Sequence, residues 1–236
     1  TGEIGSRFDN DNMKRRATLD RARDCAALSK PWILPRESQN ESDELPENFQ
    51  SVGSRGSTTV EGKMLLAMWP PGVPFHQTSL DSKILYDQSI PDEIKEAIQQ
   101  DLLFRDLTIM AQLEQTSSQG RGRRRRRGGF RSAKRMALSH LVITGDVLEQ
   151  LTDDYRIKVF RRDQYITRRD SATDVLYHIV KEEMDALALT PEQFSDSGLP
   201  AEIKEKPPTD RLIDLYTLVE WQPQAYKWLI VQEVNG

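Results

Sequence analysis

Residues 141–160, LVITGDVLEQLTDDYRIKVF, contain the change of pattern that decides the fold. Up to Gly145 the apolar residues recur with the 3.6-residue period of a helix. Beyond it, as in residues 155–159, apolar and polar residues alternate with the two-residue period of a strand. The sequence therefore predicts an α+β protein, with N-terminal helices followed by a meander of antiparallel strands.

Four segments on the N-terminal side of Gly145 have the apolar spacing of helices. They cover residues 8–29, 49–69, 91–115 and 130–145. Pro31 ends the first helix, a proline at position 91 opens the third, and Gly145 ends the fourth. The first seven residues are expected to fray.

The predicted helices also carry patterns that indicate how they pack. Gly53, Gly56 and Gly62 weaken the second helix by up to about 1 kcal/mol each relative to alanine. We interpret them as sites where another backbone comes close. The first helix has a narrow stripe of small apolar residues, and the third has a broader apolar face. The stripe comprises Met13, Ala17, Ala22, Cys25, Ala26 and Leu28, and the face comprises Ile94, Ile98, Leu102, Ile109 and Leu113.

Short alternating runs after Gly145 are separated by turn residues, which predicts antiparallel strands. The runs lie at 147–148, 155–159, 164–167, 175–181, 212–219 and 226–234. Thr190 to Gln193 has the pattern of a capped helix start. The chain ends in Asn235-Gly236, the preferred pair for a two-residue hairpin turn, with no returning strand. We therefore expect the β region to be truncated and the native protein to continue.

These patterns divide the chain into three regions. We expect an N-terminal helix over 1–29 and a helical region over 30–145 that contains an arginine-rich loop at 120–129. An antiparallel β region covers 146–236.

The composition narrows the class of protein. The 236 residues are 37% hydrophobic and 30% charged, with a mean hydropathy of −0.64. No run approaches the roughly 18 apolar residues of a spanning helix, so no membrane-spanning segment is expected. Cys25 is the single cysteine, which excludes an internal disulfide or a cluster of thiolate ligands. A reducing cytoplasm is the expected compartment.

The residues of common catalytic and metal sites do not occur in the required patterns. His76, His140 and His178 are isolated, without ligand spacing. The chain has no His-Glu-x-x-His, no Gly-x-Ser-x-Gly elbow, no P-loop and no strand-led Gly-x-Gly-x-x-Gly. The sequence therefore predicts a protein that is not an enzyme and that holds neither a metal nor a cofactor.

The strongest compositional signal is a cluster of arginines. Residues 121–135 carry nine basic side chains and no acidic ones, whereas the rest of a chain of net charge −4 has a net charge of −13. One interpretation is a nucleic-acid contact in which the loop follows phosphates without reading bases. The other is a solvated loop that pairs with acidic neighbours. The candidate nucleic-acid-binding residues are Arg121, Arg123, Arg124, Arg125, Arg126, Arg127 and Arg131.

Several segments, taken in order, resemble the portal or head-to-tail connector proteins of short-tailed bacteriophages. They are Arg21 to Ala27 with Pro31 and Leu34-Pro35, Gln50 to Gly56 with Lys63 to Pro70, Phe130 to Leu148, Val159 to Val175, and Ile213 to Thr217. The glycine-containing helix that ends in Trp69-Pro70 is the most specific of them. The arginine run is not part of this resemblance.

The resemblance implies that this chain is the N-terminal wing half of such a protein, with stem, clip and crown beyond Gly236. It further implies a dodecameric ring at a capsid vertex, which serves as the conduit for DNA packaging and ejection and as the platform for the tail. The implied partners are other copies of the chain, capsid, tail adaptor and packaging terminase proteins, and double-stranded DNA through non-specific contacts. The implied location is the virion, with assembly in the host cytoplasm. The alternative hypothesis is an arginine-rich, sequence-independent nucleic-acid-binding protein.

Overall fold

A computed structural model describes residues 2–36, 44, 50–71, 73–116, 129–152, 157–205, 207 and 211–235. The helices of this part of the chain are α1 Glu3–Lys14, α2 Arg16–Ser29, α3 Val52–Met68, α4 Ser82–Leu85, α5 Asp92–Thr116, α6 Phe130–Thr144 and α7 Pro191–Asp196. The strands are β1 Leu148–Leu151, β2 Ile157–Phe160, β3 Tyr165–Arg169, β4 Val175–Asp185, β5 Leu212–Gln222 and β6 Lys227–Asn235. Single 3-10 turns lie at Pro31–Ile33, Ala186–Ala188 and Ala201–Glu205.

Helices precede Gly145 and antiparallel strands follow it, which confirms the predicted α+β class. β1 and β2 form a two-stranded sheet, and the other strands form an antiparallel sheet in the order β3-β4-β5-β6. The chain divides into two compact units. The sheet unit comprises residues 1–25, 34–43 and 160–236, and the helical unit comprises residues 26–33 and 44–159.

In the sheet unit, α1 covers one face of the four-stranded sheet. Ile4 and Phe8 pack in a buried cluster with Ile166, Tyr177, Ile179, Tyr216 and Leu218. Ile213 lies on the other face, because side chains alternate along a strand. There it packs with Ala186, Ile203, Phe194 and other residues from the segment between β4 and β5. The capped helix start is confirmed, since Thr190 and Gln193 form a reciprocal capping box at α7.

The N-terminal region differs from its prediction in two ways. Residues 2–7 do not fray: α1 begins at Glu3, and the amides of Ile4 and Gly5 donate to the Glu233 carboxylate at 2.9 and 3.0 Å. The predicted single helix is also divided at Arg15, whose N–H contacts the carbonyls of both Asp11 and Asn12. Of the predicted stripe, Ala22 and Ala26 are buried, whereas Met13, Cys25 and Leu28 are exposed.

In the helical unit, α3 and α6 pack on each other. A Cβ at Gly53 would lie 2.8 Å from the carbonyl oxygen of Leu28, which confirms a close backbone approach there. The same prediction is wrong for Gly56 and Gly62 within the described residues, because a Cβ on either would meet nothing within 4 Å. Gly145 ends α6 in the left-handed conformation with φ 77°, as its position predicts.

The predicted apolar face of α5 is not its buried side. Asp106 and Met110 are buried, whereas Ile94, Ile98 and Ile109 are exposed. The helix is rotated relative to the prediction because Asp106 accepts two hydrogen bonds from Thr78 and therefore faces inward.

Candidate functional site

Six of the seven predicted nucleic-acid-binding residues lie in the sequence between α5 and α6, and the seventh, Arg131, lies in α6. Arg121 and Arg123 to Arg127 fall outside the described residues, so their predicted role stays a prediction. Arg131 lies in the first turn of α6, is half-buried, and donates from Nη2 to the carbonyl oxygen of Pro70 at 2.7 Å. Arg131 therefore makes a contact within the chain that does not depend on a phosphate.

An aromatic cluster holds the start of α6, the point at which the arginine-rich segment joins the helix. The Phe130 ring stacks on Phe75 with centroids 4.8 Å apart, and it meets Trp69 edge-on at 6.1 Å. The Lys134 ammonium lies 5.3 Å from the Trp69 ring centroid and 2.5 Å from a carboxylate oxygen of Glu149. This cluster includes Trp69, the aromatic residue of the segment that carries the family resemblance.

A buried ion pair connects three segments of the helical unit. Lys30 Nζ lies 2.6 and 2.7 Å from the two carboxylate oxygens of Glu61 in α3. The Ser139 hydroxyl, on α6, is 3.1 Å from Lys30 Nζ and donates to Glu61 at 2.8 Å. Because an unpaired charge here would be costly to bury, the pair fixes the register of the end of α2, α3 and α6. Sequence patterns did not reveal this contact.

A second buried carboxylate holds the crossover between α3 and α5. Asp106 accepts hydrogen bonds from the backbone amide of Thr78 at 2.7 Å and from its hydroxyl at 2.6 Å. These bonds lower the pKa of Asp106, and His76 Nε2, 3.3 Å away, favours the same ionised state.

The sheet unit contains a comparable network under α1. The Tyr177 hydroxyl donates to Asp11 at 2.5 Å, and Lys14 pairs with the same carboxylate at 2.9 Å. The Arg7 guanidinium lies 3.8 Å from the Tyr177 ring centroid and pairs with Glu220 at 3.0 Å. Burial alone would raise the pKa of Asp11, but the contacts with Tyr177 and Lys14 outweigh it and the pKa is lowered. These groups anchor α1 to the sheet.

Several helices of the helical unit leave large apolar side chains in solvent. On α5, Leu103, Phe104 and Leu107 are 53%, 69% and 45% exposed. On α3, Val52, Val60, Leu66 and Met68 are exposed as well. Apolar surface of this extent is typical of a protein that contacts another chain.

The three histidines lie on different elements: His76 contacts Asp106, His140 is buried in α6, and His178 Nδ1 is 2.9 Å from the Thr167 hydroxyl. Within the described ranges, no three His, Cys, Asp or Glu side chains are grouped so that they could hold a metal ion.

Among the residues that the structure describes, no helix combines the length and the apolar character needed to cross a membrane.

Comparison with known proteins identifies the family. The family described as "Bacteriophage head to tail connecting protein" matches residues 1–233. This chain belongs to that family. The match runs through both units, from α1 to β6, and confirms the resemblance seen in the separate sequence segments.

Individual members of the connector family are similar over nearly the whole chain. The portal protein of Enterobacteria phage T3 is 26% identical over 240 residues, which cover 99% of this chain and 42% of the relative. The portal protein of Escherichia phage T7 is 26% identical over 223 residues, which cover 92% and 38%. That of Enterobacteria phage SP6 is 22% identical over 229 residues, which cover 95% and 40%. The chain thus spans about two fifths of the length of these curated relatives.

Proposed function

We propose that this chain is the wing part of a phage portal protein, which forms a ring at one capsid vertex. The ring would be the conduit for DNA packaging and ejection and the platform on which the tail assembles. The observation that carries the proposal is the match of residues 1–233 to the head-to-tail connecting family. The role is structural, with passage and scaffolding in place of catalysis.

The exposed apolar side chains support self-assembly. Phe104 is 69% exposed on α5 and Leu66 is 61% exposed on α3. Contact with a second copy would remove these side chains from water, at a gain of about 25 cal/mol for each Å² of apolar surface. A dodecameric ring is the proposed assembly.

The remaining partners follow from the same role. They are capsid, tail adaptor and packaging terminase proteins, together with double-stranded DNA held by non-specific contacts. The negative charge outside the arginine cluster would let DNA slide past a ring surface with little attraction. The protein would be assembled in the host cytoplasm and then reside in the virion.

Two measurements test the proposal. Electron microscopy and native mass spectrometry of the complete gene product should show closed rings of twelve copies. An amber codon within the phage gene should abolish DNA-filled heads, and the wild-type gene supplied on a plasmid should restore them. A complete gene product that stays monomeric, or DNA-filled heads without it, would contradict the proposal.

The 236-residue chain by itself gives a narrower expectation. It spans about two fifths of the length of its relatives, so we expect it to associate without closing into a stable ring. Light scattering that shows a discrete dodecamer of this chain would mean that the wing is sufficient for ring closure.

A further inference from the structure

The break between α1 and α2 has no cause in the neighbouring sequence. Residues 8–29 contain neither proline nor glycine, and their pattern predicts one continuous helix. The structure nevertheless ends α1 at Lys14 and begins α2 at Arg16, with φ −99° and ψ 8° at Arg15 between them. Arginine is a strong helix former, and sharp bends in helices usually occur at proline or at glycine and serine pairs. The bend therefore depends on the surface on which α1 packs.

That surface is one face of the four-stranded sheet, and polar contacts match it to the first half of α1. The Glu233 carboxylate on β6 accepts hydrogen bonds from the amides of Ile4 and Gly5, where it caps the start of the helix. One turn further on, Arg7 pairs with Glu220 of β5 at 3.0 Å.

The second half of α1 is matched to the sheet in the same way. The Phe8 ring meets Tyr216 edge-on with centroids 5.6 Å apart, and the Tyr177 hydroxyl donates to Asp11 at 2.5 Å. Phe8 and Asp11 are both buried. All these partners lie on β4, β5 or β6, between 166 and 229 residues along the chain from α1. The sheet thus recognises α1 by shape and charge, without help from residues adjacent to it in the sequence.

A helical conformation at Arg15 would carry α1 away from its own sheet. The continuous helix from Glu3 to Ser29 would be about 40 Å long. Ile4 and Phe8 would then lose their cover, and so would the sheet residues beneath them. The sheet of another copy presents the same contacts, and exchange of an identical element between copies is a low-cost route to association.

We propose that α1 of one copy docks on the four-stranded sheet of the next copy, in the place that α1 of the same chain occupies in this structure. Arg15 is the hinge, bent where α1 lies on its own sheet and helical where α1 reaches the neighbour. Each copy gives one α1 and receives one, so the exchange joins two different surfaces, as a head-to-tail assembly requires. This inference rests on the proposed self-assembly and names the element that links neighbouring copies.

Charge reversal at the contact between Arg7 and Glu220 tests the exchange. Arg7→Glu brings two carboxylates together, and Glu220→Arg brings two guanidiniums together, wherever α1 lies on a sheet of its own variant. In a mixture, α1 of either variant meets an opposite charge only on the sheet of the other variant. The two variants, one of them isotope-labelled, are refolded together from urea and analysed by native mass spectrometry. Mixed complexes should exceed their statistical share about fivefold, the upper end for a half-exposed ion pair.

Two controls make the mixing experiment specific. The chain that carries both Arg7→Glu and Glu220→Arg regains the ion pair and should associate like the parent. The pair between Lys181 and Asp214 has nearly the same exposure, with side chains 36% and 33% exposed against 37% and 33% for Arg7 and Glu220. Both of its members belong to the sheet and stay together, so a mixture of Lys181→Glu and Asp214→Lys should give only the statistical share of mixed complexes.

Substitutions at the hinge test whether a straight helix promotes association. Arg15→Ala and Arg15→Gly remove the same side chain, but alanine favours a continuous helix and glycine does not. Sedimentation velocity should show Arg15→Ala associating about fivefold more tightly than Arg15→Gly, the factor that corresponds to about 1 kcal/mol of helix propensity.

The outcomes separate the two proposals. A parent chain that stays monomeric would contradict the proposed self-assembly, on which the exchange rests. A parent that associates, with only the statistical share of mixed complexes between Arg7→Glu and Glu220→Arg, would contradict the exchange alone. An equal excess of mixed complexes for the Lys181 and Asp214 variants would also overturn it. Equal association of the two Arg15 variants would contradict the role of Arg15 as the hinge.

Discussion

At the scale of single residues, the Lys30–Glu61 pair is the contact with the largest expected energetic effect. Both side chains are buried, and removing one partner leaves the other charge uncompensated. We expect Glu61→Gln to lower the free energy of unfolding by about 3–5 kcal/mol, and the double variant Lys30→Met, Glu61→Leu to recover most of that loss.

Urea denaturation measures both quantities. As a matched control, Asp92→Asn breaks an ion pair with Lys95 in which Asp92 is 92% exposed, and the free energy of unfolding should change by less than about 1 kcal/mol. A loss for Glu61→Gln as small as that of the control would show that the buried pair contributes little.

The Tyr177 hydroxyl gives a prediction with a defined pH dependence. Its contact with Asp11 helps to hold the pKa of that carboxyl below its ordinary value of 3.8. A carboxyl whose pKa is lowered in the folded state stabilises the fold fully at pH values above its unfolded-state pKa. This contribution is lost as the pH falls through the folded-state pKa. Tyr177→Phe should therefore lower the free energy of unfolding by about 1.5–3 kcal/mol at neutral pH, with a smaller difference from the parent below about pH 4.

Urea unfolding midpoints at several pH values provide the measurement. Tyr86→Phe, at an exposed tyrosine of the helical unit, is the control and should follow the parent at every pH. If the difference between Tyr177→Phe and the parent were the same at pH 3 and pH 7, the hydroxyl would not act through the ionised carboxylate.

These buried charges could not have been predicted from the sequence. Lys30 and Glu61 are 31 residues apart, and Glu61 and Ser139 are 78 apart. A periodicity argument treats each helix alone and assigns charged residues to the solvent side. Asp106 shows the consequence. It is buried, whereas Ile98 and Ile109 of the same helix are exposed although they are more apolar.

At the scale of elements, alanine substitutions at the glycines of α3 distinguish two effects of a glycine: it permits close contact with another backbone, and it weakens the helix. Gly53→Ala should destabilise the chain, because the new Cβ would lie 2.8 Å from the Leu28 carbonyl oxygen and a backbone atom cannot move away cheaply. Gly56→Ala and Gly62→Ala meet nothing within 4 Å, and each should stabilise the helix by up to about 1 kcal/mol. Thermal unfolding followed by circular dichroism compares the three, and equal effects at all three positions would refute the close approach at Gly53.

Elements were predicted well where their signals are local. The left-handed glycine after α6, the capping box of α7 and the alternation in β5 and β6 each depend on residues within a few positions of one another. The start of α1 was wrong for the opposite reason. Its first amides bond to Glu233, which is 229 residues from Ile4, so no local signal could indicate that the helix begins at Glu3.

At the scale of the whole molecule, the chain has apolar side chains in solvent on both of its units. Phe104 belongs to the helical unit and Trp228 to the sheet unit. Exposed apolar surface of this kind marks places where a chain contacts further protein surface. The sequence pointed to neighbours through its narrow apolar stripes, but it could not show which side of α5 would remain exposed.

The distribution of charge over the whole chain leads to a prediction about DNA. The basic segment at 121–135 contrasts with a net charge of −13 in the rest of the chain, so any attraction to duplex DNA should come from this segment. If it neutralises about 3–5 phosphates, the logarithm of the association constant should fall with the logarithm of salt concentration at a slope of about −3 to −4.5. Replacing Arg123 to Arg127 with serine should flatten that slope equally for unrelated DNA sequences, because phosphates carry no base information.

A control variant removes the same amount of positive charge from other exposed positions of the chain. It replaces Arg16, Arg21, Arg55, Lys63 and Lys227 with serine. Fluorescence anisotropy with labelled duplexes, titrated with salt, should give this control a slope close to that of the parent, since counterions are released only where phosphates are contacted. If the parent and the arginine variant had the same slope, or if the parent did not bind DNA even at low salt, the arginines would be interpreted as partners of acidic side chains. The same flattening in the control would show that overall charge, and not the arginine-rich segment, governs binding.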